Sequence, residues 1–203
     1  GYQSSYSNTT GTGNTSLGYV SLFGNTTGNY NTVSGWGGLS SNTTGSSNSA
    51  FGYQALTANT TASNNTAVGY HALLANTVGF SNTAFGSRAG LAITTGDYNI
   101  SVGTYALATE TTGNKSVAIG HGALYTQNST NSADMLNTAV GHSAGNLLTT
   151  GTENTLIGGL AGAANTTGSY NTSVGASSLD ANTTGGKNSA LGREALTKNT
   201  TGS

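Results

Sequence analysis

Asn65-Thr66-Ala67-Val68-Gly69-Tyr70-His71-Ala72-Leu73 returns seventeen residues later as Asn82-Thr83-Ala84-Phe85-Gly86-Ser87-Arg88-Ala89-Gly90. The shared glycine belongs to a series. It stands at Gly1, Gly18, Gly35, Gly52, Gly69, Gly86, Gly103 and Gly120, then after one gap of 21 at Gly141, Gly158, Gly175 and Gly192. A period held this strictly means one small unit stacked on itself. Seventeen residues are too few for a helix pair, and no apolar stripe of helical period appears. The short apolar runs are rich in Thr, Val and Phe and are bounded by Gly and Asn, a strand-and-turn signal. The sequence therefore predicts an all-β, parallel β-solenoid of about twelve coils over residues 1–203. Each coil is expected to supply two or three short strands and to pair with the next at about 4.8 Å, giving a rod of about 55 Å.

With the glycine as column one, column fourteen is Asn14, Asn31, Asn48, Asn65, Asn82, Asn99, Asn137, Asn154, Asn171 and Asn188, broken only by Ser116. Stacked asparagines suit a solenoid, because each amide can donate to one neighbour and accept from the other. Column eleven is a second glycine, column five is mostly Leu, and column seventeen is large and apolar. Glycine fits corners that need positive φ or close backbone approach. Proline is absent, as an array of central strands requires, since each proline removes a ladder donor. Where column five is Gly (Gly90, Gly145), column eight changes from Asn to Ile93 or Leu148. That pattern suggests columns five and eight share an interior, although Gly162 with Asn165 breaks it. The four extra residues between Gly120 and Gly141 are expected to form a surface loop near 127–134.

The strand columns read Thr-Ala-Val, without polar alternation, which predicts that both faces are covered. Each coil offers only about two large apolar side chains, a thin core for a lone rod. A second copy over the outer face supplies the missing cover, so a homo-oligomer is expected. Neither end carries a capping unit, and the sequence reads as a fragment of a longer array or as a chain whose ends dock on other subunits.

Only 11 side chains are charged and the net charge is −1, which excludes electrostatic nucleic-acid binding. There is no Cys for a disulfide scaffold. No apolar run is long enough to span a membrane. No cofactor or metal is expected.

Lys115-Ser116-Val117-Ala118-Ile119-Gly120 resembles the strand repeat of YadA-like trimeric autotransporter adhesin heads, and Asn65 to Gly69 and Asn137 to Gly141 resemble variants of it. The fuller unit, Asn65 to Leu73, is also similar to repeats of bacteriophage tail fibres. The period of 17 departs from the shorter coil of the adhesin heads. The resemblance implies a trimer of parallel β-rolls in a stalk or head, extracellular on a bacterial or virion surface, that binds cell-surface partners.

Several side chains are candidates for contact. Column two is aromatic in the first five coils: Tyr2, Tyr19, Trp36, Tyr53 and Tyr70. A solvent-facing row of rings could stack on sugars of a surface glycan or receptor, with Trp36 first, then Tyr19, Tyr53 and Tyr70. The alternative is that the rings stack on one another or fill a subunit interface. His121 and His142 share column two, without a carboxylate or Cys in register for a metal. His71, Arg88 and Tyr105 share column three, the arrangement that would serve a polysaccharide-degrading β-helix, but without a paired acid. The Asn-Thr-Thr corners at Asn8, Asn25, Asn42, Asn59, Asn165, Asn182 and Asn199 match a glycosylation acceptor or a turn cap. The leading expectation is a structural and adhesive fibre. An ice-binding solenoid is the alternative, since Thr rows at columns nine and ten could order water. Adjacent positions such as Thr9 and Thr10 point to opposite faces, which weakens it.

Overall fold

The computed structural model describes residues 1–203. It is all-β, without a helix, and each coil contributes one strand of three residues: β1 (Thr15–Leu17), β2 (Thr32–Ser34), β3 (Ser49–Phe51), β4 (Thr66–Val68), β5 (Thr83–Phe85), β6 (Ile100–Val102), β7 (Val117–Ile119), β8 (Thr138–Val140), β9 (Thr155–Ile157), β10 (Thr172–Val174) and β11 (Ser189–Leu191). The strands form one parallel sheet in sequence order. Register follows the 17-residue spacing, as in Thr66↔Thr83, Ala67↔Ala84 and Val68↔Phe85. Even the long coil keeps it, with Ala118↔Ala139. Eleven strands enclose about ten closed turns, with a partial turn on either side in place of the expected twelve coils. No helix is long and apolar enough to cross a membrane.

The expectation of two or three strands per coil is corrected to one. The reason lies in the backbone. Columns three, five and thirteen hold positive φ even in ordinary residues, as in His71 (56°), Leu73 (50°) and Ser81 (55°). Those angles belong to tight turns and forbid strand geometry. Coil-to-coil hydrogen bonding still continues around the circumference. Only 20 of 125 backbone hydrogen bonds lie within strands. Outside them, Leu22 N–H donates to Gly38 O and Thr26 N–H to Thr43 O, each at 2.9 Å. Column one needs glycine outright. Gly69 sits at φ 139°, and a Cβ there would collide with Gly86 O in the next coil.

The core is thin and made of rows. Column five supplies Leu22, Leu39, Leu56, Leu73, Leu107, Leu124 and Leu179, all fully buried. Columns four and sixteen supply mostly alanine, such as Ala72 and Ala67. Each buried leucine contributes about 2–3 kcal/mol of transfer free energy, set against a left-handed backbone that costs on the order of 1 kcal/mol. At two of the three serines in column sixteen, a serine five residues on receives the hydroxyl: Ser173 Oγ donates to Ser178 O at 2.8 Å, and Ser16 Oγ to Ser21 O at 2.9 Å, while Ser101 Oγ donates to Thr83 O at 3.3 Å. Each hydroxyl is thus satisfied.

Within the chain the strands do alternate, which corrects the sequence reading that the pleat lacks an inward and an outward face. The middle residue of each strand faces inward and is small in every strand but β2 and β9, which carry Val33 and Leu156. Its flanks, in columns fifteen and seventeen, point outward. The larger residue is the outer one: Leu17, Phe51, Phe85, Ile119, Ile157 and Leu191 are all exposed. The apparent lack of alternation arises because the outward row is apolar, not because the pleat is lost.

Candidate functional site

The side-chain ladders come first, because they position everything else. In column fourteen each asparagine bonds chiefly to the backbone of the next coil. Asn65 Nδ2 donates to Gly79 O at 2.9 Å and Asn65 Oδ1 accepts from Asn82 N–H at 2.8 Å. The same pair of bonds recurs at Asn31, Asn82, Asn154 and Asn171. Amide-to-amide bonding, which the sequence assigned to the asparagine columns generally, is concentrated in column eight. There Asn25, Asn42, Asn59 and Asn76 each donate to the asparagine one coil before, at 2.8–3.1 Å. They also donate to the column-eleven carbonyl three residues on, as Asn42 does to Gly45 O at 2.9 Å. These are the Asn-Thr-Thr corners. Asn25, Asn42, Asn59, Asn165 and Asn182 are fully buried, so they close turns and cannot accept a glycan in the folded chain. Asn8 is exposed.

A third ladder, in column twelve, is invisible as a sequence pattern because its residue type varies. Asn29 Oδ1, Ser46 Oγ, Ser63 Oγ, Asp97 Oδ1 and Asn114 Oδ1 each accept a main-chain N–H from the preceding coil at 2.7–3.0 Å. Column nine is a fourth. Thr26, Thr43 and Thr60 hydroxyls donate to the next coil's carbonyl at about 3.0 Å. Those hydroxyls are consumed by the fold and offer no lattice for water. Column ten, as at Thr27, Thr44 and Thr61, is the exposed threonine row.

The column-eight ladder stops at Ile93, leaving Asn76 Oδ1 buried and without a partner. Two coils after Asn76, Glu110 stands in the same column, fully buried. Its Oε1 accepts from the N–H groups of Thr111, Thr112, Gly113 and Ser129 at 2.7–3.2 Å. Its Oε2 accepts from Gln127 Nε2 at 3.0 Å. Gln127 also donates to Ser116 Oγ at 2.9 Å and accepts from Asn137 Nδ2 at 2.9 Å. Gln127 thereby supplies the side-chain amide that column fourteen lacks at Ser116. The signal was in the sequence, in the nearby departures at 110, 116 and 127.

The extra residues of the long coil are pinned at both ends. Gln127, Ser129 and Met135 are buried, while Thr130 and Asn131 are exposed. Lys115 Nζ meets Asp134 Oδ2 at 2.6 Å. The ammonium beside it holds the Asp134 carboxyl below the usual aspartate range, and the carboxylate raises Lys115. A shallow cavity of about 220 Å³ lies among Ser129, Thr130, Asn131, Ala133, Met135 and Thr150. It has no charged lining.

The structure stacks the column-two rings face to face. Tyr2–Tyr19, Tyr19–Trp36, Trp36–Tyr53 and Tyr53–Tyr70 have centroids 5.5, 5.8, 4.9 and 5.5 Å apart, with interplanar angles of 8–14°. Trp36, the leading candidate for stacking on sugar, has both faces covered and is 41 % exposed, whereas Tyr2 at the end of the row is 66 % exposed. The row presents ring edges and phenol hydroxyls outward. Of the two readings open at sequence level, ring-on-ring stacking is the one the geometry contains.

The row is closed by polar groups. His71 lies 3.8 Å from Tyr70 between centroids, and its Nε2 is 2.9 Å from Gln54 Oε1. Burial, and then Arg88, lower its pKa. The Arg88 guanidinium sits over Tyr70 at 5.7 Å and over Tyr105 at 5.3 Å, and Arg88 Nη1 donates to the Tyr105 hydroxyl. Column three thus brings His71, Arg88 and Tyr105 together, but without a carboxylate beside them. His121 and His142 stack at 5.3 Å. Nowhere do three His, Cys, Asp or Glu side chains gather as metal ligands.

No protein family, no curated protein and no solved structure matches this chain.

Proposed function

We propose that this chain is a rigid segment of an extracellular, adhesive fibre on a bacterial or virion surface, in which three copies pack through their sheet faces. The observation that carries the reading is the inverted strand. Ala67 and Ala84 face the interior, while Val68 and Phe85 beside them face out. A soluble rod working alone has no use for its largest strand residues on the surface. An apolar row of this kind marks an interaction surface. The row follows the sheet from Leu17 to Leu191, broken once by Ser34, about 48 Å at the usual strand spacing. A strip of that length and three residues, or about 10 Å, wide supplies about 480 Å² of the roughly 800 Å² per partner of a stable interface, with the flanking turns supplying the rest. Threefold packing follows the resemblance to trimeric adhesin heads. Every turn being hydrogen-bonded to the next through both backbone and side chains supports a stiff, load-transmitting role.

Light scattering coupled to size exclusion tests this directly. A mass of three chains is the expected result, and Phe51→Ser with Phe85→Ser should release folded monomers. A monomer at micromolar concentration from the unaltered chain would overturn the proposal.

A further inference from the structure

Resting on the adhesive reading above, we infer that the ridge from Tyr19 to Tyr105 is a binding site for a linear, carboxylated glycan lying along the rod, with Arg88 receiving one of its carboxylates. The rings have no free faces, so recognition falls to their edges. Ring edges carry partial positive charge, and each tyrosine adds a hydroxyl that donates or accepts. One ring is supplied per coil, at centroid steps of 4.9–5.8 Å. That step is comparable with the advance of one pyranose along an extended chain, so the ridge matches a polymer in register rather than a single small molecule.

Arg88 ends the ring row and is the one cation on the ridge, with no acidic counterpart. The two ion pairs of the chain are Lys115–Asp134 and Arg193–Glu194, and Arg88 belongs to neither. Columns two and three hold no acid anywhere from Tyr2 to Tyr105. The guanidinium is instead held between two tyrosine rings, which fixes its plane and leaves donors for an outside anion. A planar, pre-oriented fork is the group that takes a carboxylate bidentately. One cation in an otherwise neutral ridge anchors one carboxylate of the chain and leaves the others to solvent. A nucleic acid would demand a basic stripe, and the chain has only five Lys and Arg. Gln54 and His71, beside the rings, supply further polar contacts for sugar hydroxyls.

Trp36 is the only tryptophan and lies inside the ridge, so its fluorescence reports occupancy. The full chain would be titrated with hexagalacturonate, with cellohexaose as the neutral control and a heparin hexasaccharide as the sulfated one. Isothermal titration would be run on the same samples in case Trp36 is silent. The expected result is saturable binding of hexagalacturonate only. Arg88→Gln should weaken it about tenfold or more, as loss of a charge-assisted hydrogen bond implies, and Arg88→Lys should not restore it. Thermal melts of both variants should match the parent. No binding, equal binding of the neutral or sulfated sugar, or an unchanged Arg88→Gln would overturn the assignment. The assembly state, read on the same samples, separates the two proposals: a trimer without sugar binding removes only this site, and a sugar-binding monomer removes only the fibre.

Discussion

Leu156 fills the space that a leucine at position 162 would occupy: a Cβ placed on Gly162 would lie 2.8 Å from Leu156 Cδ2. Gly145 makes the same concession from the other side, where a Cβ would come within 2.7 Å of Leu156 Cδ1. One large residue in the usually small column sixteen is therefore answered by two glycines in the usually large column five. Gly162→Leu alone should overpack the core and cost about 1–3 kcal/mol. Leu156→Ala alone should leave a cavity and cost about 2–5 kcal/mol. The combination of Leu156→Ala with Gly162→Leu restores the arrangement of most other coils, and its melting temperature should exceed that of either single variant. A double-mutant cycle on thermal melts checks this, and strict additivity would contradict it.

The column-fourteen asparagines should be costly to remove from central coils. Asn65→Ala leaves Asn82 N–H without an acceptor and removes one of the two donors to Gly79 O, the other being Asn76 Nδ2. Each buried group left unpaired costs about 1–3 kcal/mol. Asn14, in the half-buried first turn, should cost less when replaced by Ala. Chemical denaturation of the two variants gives the comparison.

Glu110 should behave as a local keystone for the long coil. Glu110→Ala would orphan donors on Thr111, Thr112, Gly113, Ser129 and Gln127. Solenoids open locally between neighbouring repeats. Amide exchange should therefore rise around residues 110–135 while the coils near Asn31 stay protected. Uniform loss of protection along the rod would count against this.

Acid should loosen the same loop through Asp134. Its folded pKa lies below the usual aspartate value because of Lys115. The pair's contribution is therefore fully present above the unfolded aspartate pKa and is lost as pH falls through the folded one. Both groups are exposed, and the effect is confined to the loop. The protection factors of the amides from Ser132 to Met135, referenced to intrinsic exchange at each pH, should fall as pH drops through and below the ordinary aspartate range, and Lys115→Ala should remove that pH dependence.

Much of the architecture was legible in the chain. The strict return of glycine fixes the coil, and column sixteen beside column seventeen fixes the strand and its register. The link between columns five and eight was readable from Gly90 with Ile93. Its apparent exception at Gly162 was not, because the compensating residue, Leu156, belongs to another column that only folding brings near. The column-twelve ladder was equally hidden. Asn29, Ser46 and Asp97 share nothing but a side-chain oxygen at the right height.

The sequence by itself therefore determined a stacked, parallel, 17-residue β-architecture, because a repeat can bury its apolar places only against its own copies. The tertiary structure alone decided which way each side chain faces. Left-handed backbone at His71 and Leu73 turns neighbouring residues to opposite sides of the wall. The strand's pleat then sends alanine inward and valine or phenylalanine out, an orientation composition does not carry. The same stacking that sets Trp36 against Tyr19 and Tyr53 closes the ring faces that the sequence offered to a ligand and leaves their edges, ending at Arg88.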